Sequence, residues 1–158
     1  MHERFTPIPD IACWSQSIGG LIINFGSLEF QTLRWLERLS SQDVFGAIRG
    51  CMLNQRVNAI LELISKSSIS EPIQLKARAL WAEVMELANV RNRIAHNPLA
   101  LGRDPESGEA VFSVIDLKKM VPVGENRLEP LSHIKIAEVA VRAAEVSHEL
   151  SAIIEAMV

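Results

Sequence analysis

The stretch that decides the fold is EPIQLKARALWAEVMELANVRNRIAHNP, residues 71–98. Ile73, Ala77, Leu80, Val84, Leu87, position 91 and Ile94 recur at alternating steps of four and three, the spacing of a helical seam. Ser70 followed by Pro72 is a helix start, because proline is tolerated where a backbone N–H has no partner to find. Pro98 disfavours α geometry at Asn97, so the helix is predicted to end at about His96. One seam position is out of character. Where an apolar residue is due, the chain places Arg91.

Working outward, residues before this helix repeat the helical period. Trp14, Ile18, Leu21/Ile22, Phe25, Leu28, Leu33, Leu36 and Leu39 predict one long amphipathic helix, with its start at Pro7, Pro9 and Asp10. Gly19, Gly20 and Gly26 each weaken it by about 1 kcal/mol relative to alanine, which predicts close approach of another helix. SSQD at 40–43 is a break with several N-cap candidates. Val44, Ile48, Met52, Val57, Ile60, Leu61 and Ile64 then predict a second helix, which Gly50 is placed to interrupt.

After residue 98 the texture changes. GRDPESGE is a turn sequence and AVFSVIDL has the β-branched look of a strand, so 99–131 reads as a β-hairpin or ordered loop. The last helix opens at Ser132, with Leu131 and Ile136 at hydrophobic-staple spacing. It runs through Ala140, Ala143, Leu150, Ile154 and Met157, and its alanine-rich middle admits a close neighbour. The expected fold is all-α: one domain over 1–158, a four- to five-helix bundle with that excursion before the last helix.

Composition narrows the function. The chain has 158 residues, 48 % hydrophobic and 22 % charged, which suits one globular core without metal or disulfides. A net charge of −3 gives no global basic field, which argues against a stoichiometric nucleic-acid coat. It argues much less against an enzyme that touches a few phosphates. Two cysteines, Cys13 and Cys51, suit a reducing cytoplasmic setting. The longest apolar run, GGLIINFG, falls well short of the roughly 20 residues of a membrane span, so no membrane partner is expected. His2, His133 and His148 have no partners at ligand spacing, and neither metal nor cofactor is expected. Lys118 and Lys119 are too few to form a basic patch.

Arg91 in an apolar seam must leave water at least partly and therefore needs an acidic or hydrogen-bonding partner. Glu29 and Glu86 are the candidates for a structural ion pair. His96 follows about 140° further round the helix, so the two side chains flank the helix end rather than stack. Asn92, one turn before His96, shares its face and can orient the imidazole. A plainer reading of His96 is a helix C-terminal histidine set against the last carbonyls. Arg93 reads as a solvated arginine or as a contact for an RNA phosphate. Trp14, Trp35 and Trp81 read as core or interface, with base stacking as the alternative for Trp35, which lies beside Arg34 and Arg38.

Arg91-Asn92-Arg93-Ile94-Ala95-His96, an arginine, a polar residue and a histidine after four intervening positions at the end of a core helix, resembles the signature of the HEPN superfamily. Two looser pairs, Arg127 to His133 and Arg142 to His148, do not have that context. The long first helix with FGSLEFQTLRWL is similar to members of that group, with Glu29 as the acidic residue. The resemblance implies a helical bundle, a twofold homodimer with the motifs facing each other, and, in active members, metal-independent endoribonuclease activity in toxins or antiviral effectors. It implies Arg91 and His96 as the catalytic pair, Asn92 and Glu29 in support, RNA as a transient partner and an antitoxin as a further one. The alternative is a catalytically silent dimer serving as an interaction or nucleotide-binding module, which the acidic balance favours.

Overall fold

The computed structural model describes residues 11–96, 99–103, 110–115, 128–130 and 133–157. Among them are five helices: α1 (Ile11–Leu39), α2 (Gln42–Ile48), α3 (Leu53–Lys66), α4 (Glu71–His96) and α5 (His133–Glu155). The fold is an all-α bundle. Between α4 and α5 the chain forms a small antiparallel sheet, β1 (Leu99–Arg103), β2 (Ala110–Ile115) and β3 (Leu128–Pro130), in that order. Leu99 stands opposite Val114, Arg103 opposite Ala110, and Ser113 opposite Pro130. The expected start at Pro7–Asp10, the stop at Asn97–Pro98 and the cap at Leu131–Ser132 lie outside the described residues.

Residues 44–64 form two helices. Residues 49–52 separate α2 from α3, with the Cys51 N–H turned onto the Ile48 carbonyl and Met52 in extended geometry (ψ 156°). Gly50 has open space where a Cβ would stand. The Gln55 side chain then accepts from the Met52 N–H at 3.1 Å and satisfies one orphan donor of the new helix start. At the start of α4 the Ser70 carbonyl accepts from the N–H groups of Ile73 and Gln74, both at 3.0 Å, so Pro72 sits in the first turn.

The core is built where the seams predict it. Trp14, Leu21, Phe25, Leu28, Trp35 and Leu36 of α1 are buried, as are Ala77, Leu80, Trp81, Val84, Leu87 and Ile94 of α4. Trp35 and Trp81 meet edge to face with centroids 5.8 Å apart. Trp35 is fully buried, so the base-stacking alternative is excluded for it: positions 28, 32, 35 and 36 all lie on the core face. Ile22 falls on the outer side of α1 at 47 % exposure, because the buried face passes through Leu21 and Phe25.

Contacts fix the helix directions. The Trp14 ring packs on His133, the Asn24 amide donates to the Ala140 carbonyl (2.8 Å), and the Trp35 indole N–H donates to the Leu150 carbonyl (3.2 Å). Both residue numbers rise together, so α1 and α5 run parallel. On α4, by contrast, Lys76 and Glu83 reach Glu149 and Arg142 of α5, which makes that pair antiparallel. Ala140 and Ala143 are buried, and a Cβ placed on Gly20 would meet the Ala140 Cβ at 3.9 Å. Gly20 thus faces the neighbouring helix, as its small size predicts. Gly19 and Gly26 do not, since nothing lies within 4 Å of a Cβ at either. No helix among the described residues is long and apolar enough to cross a membrane.

Arg142 clamps α4 to α5. Its Nε and Nη2 donate to the two Glu83 carboxylate oxygens at 2.6 and 2.8 Å, and Nη1 reaches Glu145 and Glu149. The hydrogen bond from Arg142 holds the Glu83 carboxyl below its ordinary 4.5. A carboxyl with a lowered folded value stabilises the fold above the unfolded value and loses that contribution as pH falls through the folded one. Arg142→Gln therefore lowers the melting temperature at pH 7, and the gap to wild type narrows on titration below about pH 4.5. Thermal melts across pH 3 to 7 measure it; a gap independent of pH would remove the Glu83 contribution.

Candidate functional site

Arg91 occupies the seam position that the spacing gave it, and its side chain is only 20 % exposed. A guanidinium there needs a counter-ion, and α1 supplies one. Glu29 Oε1 accepts from Arg91 Nη2 at 2.6 Å. Of the two acids offered for that pair, Glu29 makes the bond. One turn earlier on α1, the Phe25 ring lies beneath the guanidinium, with Arg91 Cζ 4.5 Å from its centroid. The charge is thus held on one side by a carboxylate and on another by an aromatic face.

Around this pair lies a cleft of about 570 Å³ between α1, α3 and α4. The α4 wall is a stripe at helical spacing: Met85, Ala88, Asn89, Asn92 and His96, with Arg91 beside it. Asn92 and His96 therefore share one face a turn apart, and Glu29 closes the α1 side. His96 is exposed, as the last residue of α4. Arg91, Asn92, His96 and Glu29 are all brought together. Arg93 is exposed and does not line the cleft, since it sits about 100° from Asn92 on the helix.

The sequence reading missed Arg56. This residue of α3 is 9 % exposed and lines the same cleft. Its Nη2 lies 3.8 Å from Glu29 Oε2, beyond hydrogen-bonding range, and its Nε has no hydrogen-bond partner among the described residues. The signal was present: Leu53, Arg56/Val57, Ile60 and Ile64 follow the period that singled out Arg91. Cys51 also lines the cleft, with a free thiol.

In chemical terms the cleft holds two guanidinium cations, one carboxylate, two amides from α4 and an imidazole at the solvent-facing end. Such a set can bind an anion and move a proton beside it. Among the described residues no group of three His, Cys, Asp or Glu could hold a metal ion. A second groove, lined by Arg34, Glu37, Arg38, Ile154 and Glu155, carries cations that are already engaged: Arg34 with Ser151 and Glu155, Arg38 with the Met157 carbonyl. Compared with family models, curated proteins and solved structures, the chain matches none.

Proposed function

We propose that this protein is a metal-independent endoribonuclease of HEPN type, working as a homodimer in the cytoplasm. The observation that carries the reading is the convergence of Arg91, Asn92 and His96 on one cleft, with Arg91 anchored by Glu29. Transesterification of RNA needs a base for the 2′-hydroxyl proton and an acid for the departing 5′-oxygen, and an imidazole serves either role near neutral pH. Negative charge grows on the non-bridging phosphate oxygens, where a pre-oriented guanidinium stabilises it without reorganising. Arg91 has that character: Glu29 takes Nη2, and among the described residues no other hydrogen bond engages the guanidinium, which leaves N–H groups for a phosphate. One chain offers one such histidine, so a twofold pair supplies both acid and base from two His96 copies. A toxin or defence role, checked by an antitoxin, is the setting this chemistry suits.

A second reading, a catalytically silent module binding nucleotides or a protein, is favoured by the net charge of −3 and by the carboxylate already seated on Arg91. Incubation of the purified chain with single-stranded RNA in excess EDTA separates the two. The ribonuclease reading expects fragments with 2′,3′-cyclic phosphate and 5′-hydroxyl ends, and no cleavage of 2′-O-methyl RNA. Intact RNA would favour the silent module, and fragments with 5′-phosphates would overturn the transesterification chemistry.

A further inference from the structure

We infer that Arg56 is a second phosphate-binding group of this cleft, and that Arg56, Glu29 and Arg91 together form a seat for one internal phosphodiester of a single-stranded RNA. The inference rests on the ribonuclease reading for the identity of the ligand; the anion seat itself stands on the geometry alone. A guanidinium carries five N–H donors, and burying it is costly unless those donors and the charge are met. The charge of Arg91 is met by a 2.6 Å bond to Glu29 and by the Phe25 face. Arg56 has no such match. It is more deeply buried than Arg91, its contact with Glu29 is a loose 3.8 Å, and its Nε is unpartnered while the residue lines the open cleft.

The charge count sets the ligand class. Two guanidinium cations against one carboxylate leave a local charge of +1. That matches the single negative charge of a diester without displacing Glu29. Glu29 then has a defined role: it holds Arg91 in register and leaves Arg56 as the unsatisfied partner. The Arg56 Nε–H is buried and unpartnered at the wall of the cleft, so a phosphate drawn in against the guanidinium would meet Nε and Nη with two of its oxygens, which a lysine cannot match.

The test follows the arginine Nε–Hε resonances of the full chain by ¹⁵N–¹H NMR, with Arg56 assigned by the signal lost in Arg56→Lys. Titration with an uncleavable 2′-O-methyl trinucleotide is expected to move the Arg56 Nε signal saturably. Arg56→Lys is expected to weaken that binding by about tenfold or more and to raise KM for RNA while kcat changes far less. Should Arg56→Lys not fold, through-bond assignment of the wild-type arginine side chains identifies the Arg56 Nε signal, and its response at saturation still decides. An unmoved Arg56 signal at saturation overturns the inference, as does a response to inorganic phosphate without one to the trinucleotide. RNA cleavage with Arg56 silent leaves the ribonuclease reading standing and removes this one. Oligonucleotide binding at Arg56 in a chain that never cuts RNA keeps the seat and removes the nuclease.

Discussion

On the proposed ribonuclease activity, His96→Ala is expected to lower the rate of RNA cleavage by about 10²- to 10⁴-fold, the usual range for removing a positioned acid–base group. The fold survives the change. His96 is exposed at the last position of α4 and contributes nothing to the buried core, so the effect on stability stays within about 0.5 kcal/mol. Arg91→Lys provides the contrast. It retains a charge but loses the fork that one side of Glu29 engages and the flat contact with Phe25. Cleavage therefore falls as well, this time with a measurable loss of stability. Initial rates on a labelled oligonucleotide, paired with thermal melts, separate the two. A His96→Ala variant that cuts at the wild-type rate removes the histidine from the chemistry.

The largest stability effect lies at the tryptophan pair. Trp35→Ala is expected to cost about 3–5 kcal/mol, because a fully buried indole leaves a cavity that the rigid contact with Trp81 cannot close. A finer comparison isolates the hydrogen bond. The Trp35 N–H donates to the Leu150 carbonyl at 3.2 Å, whereas the Trp81 N–H is buried without a partner among the described residues. Phenylalanine at 35 forfeits that bond, worth about 1 kcal/mol, while phenylalanine at 81 removes an unsatisfied donor. Trp35→Phe should therefore cost more than Trp81→Phe, although the two lose the same volume. Urea unfolding of both variants measures the difference, and equal costs would show that the Leu150 bond adds nothing.

How much of this was legible beforehand follows from what local periodicity can carry. The seam of α4 was readable from spacing alone, and Arg91 stood out because it broke an otherwise apolar pattern. The same rule, applied to Leu53, Val57 and Ile60, marks Arg56, but the arginine stands beside Val57 rather than in place of an apolar residue, so the pattern is not visibly broken there. Glu29 was named beside Glu86 as a candidate ion-pair partner and as the acidic residue that the family resemblance implies in the first helix; the spacing alone did not choose between the two. The ring of Phe25 under Arg91 depends on how two helices are set against each other, which no single-helix pattern encodes.

The glycines of α1 show the converse error. Gly19, Gly20 and Gly26 carry the same local signal, yet only Gly20 meets another helix, because whether a face is covered is decided by distant sequence. The parallel pairing of α1 with α5 is likewise a product of packing, here of Ala140 against Gly20 and Asn24 of α1. Trp35 was the more readable case. A tryptophan inside a helix reads first as core or interface, and the neighbouring arginines that suggested base stacking are instead bonded to Ser151 and the Met157 carbonyl.

The central claim is that RNA phosphate is received in the cleft between α1, α3 and α4. Amide shift mapping of the uniformly ¹⁵N-labelled chain with an uncleavable 2′-O-methyl oligonucleotide tests it most directly. The account predicts perturbations centred on Glu29, Arg56, Asn89, Arg91, Asn92 and His96. Perturbations confined to the Arg34–Arg38 groove at the far end of α1, with the α4 tip unmoved at saturation, would contradict it.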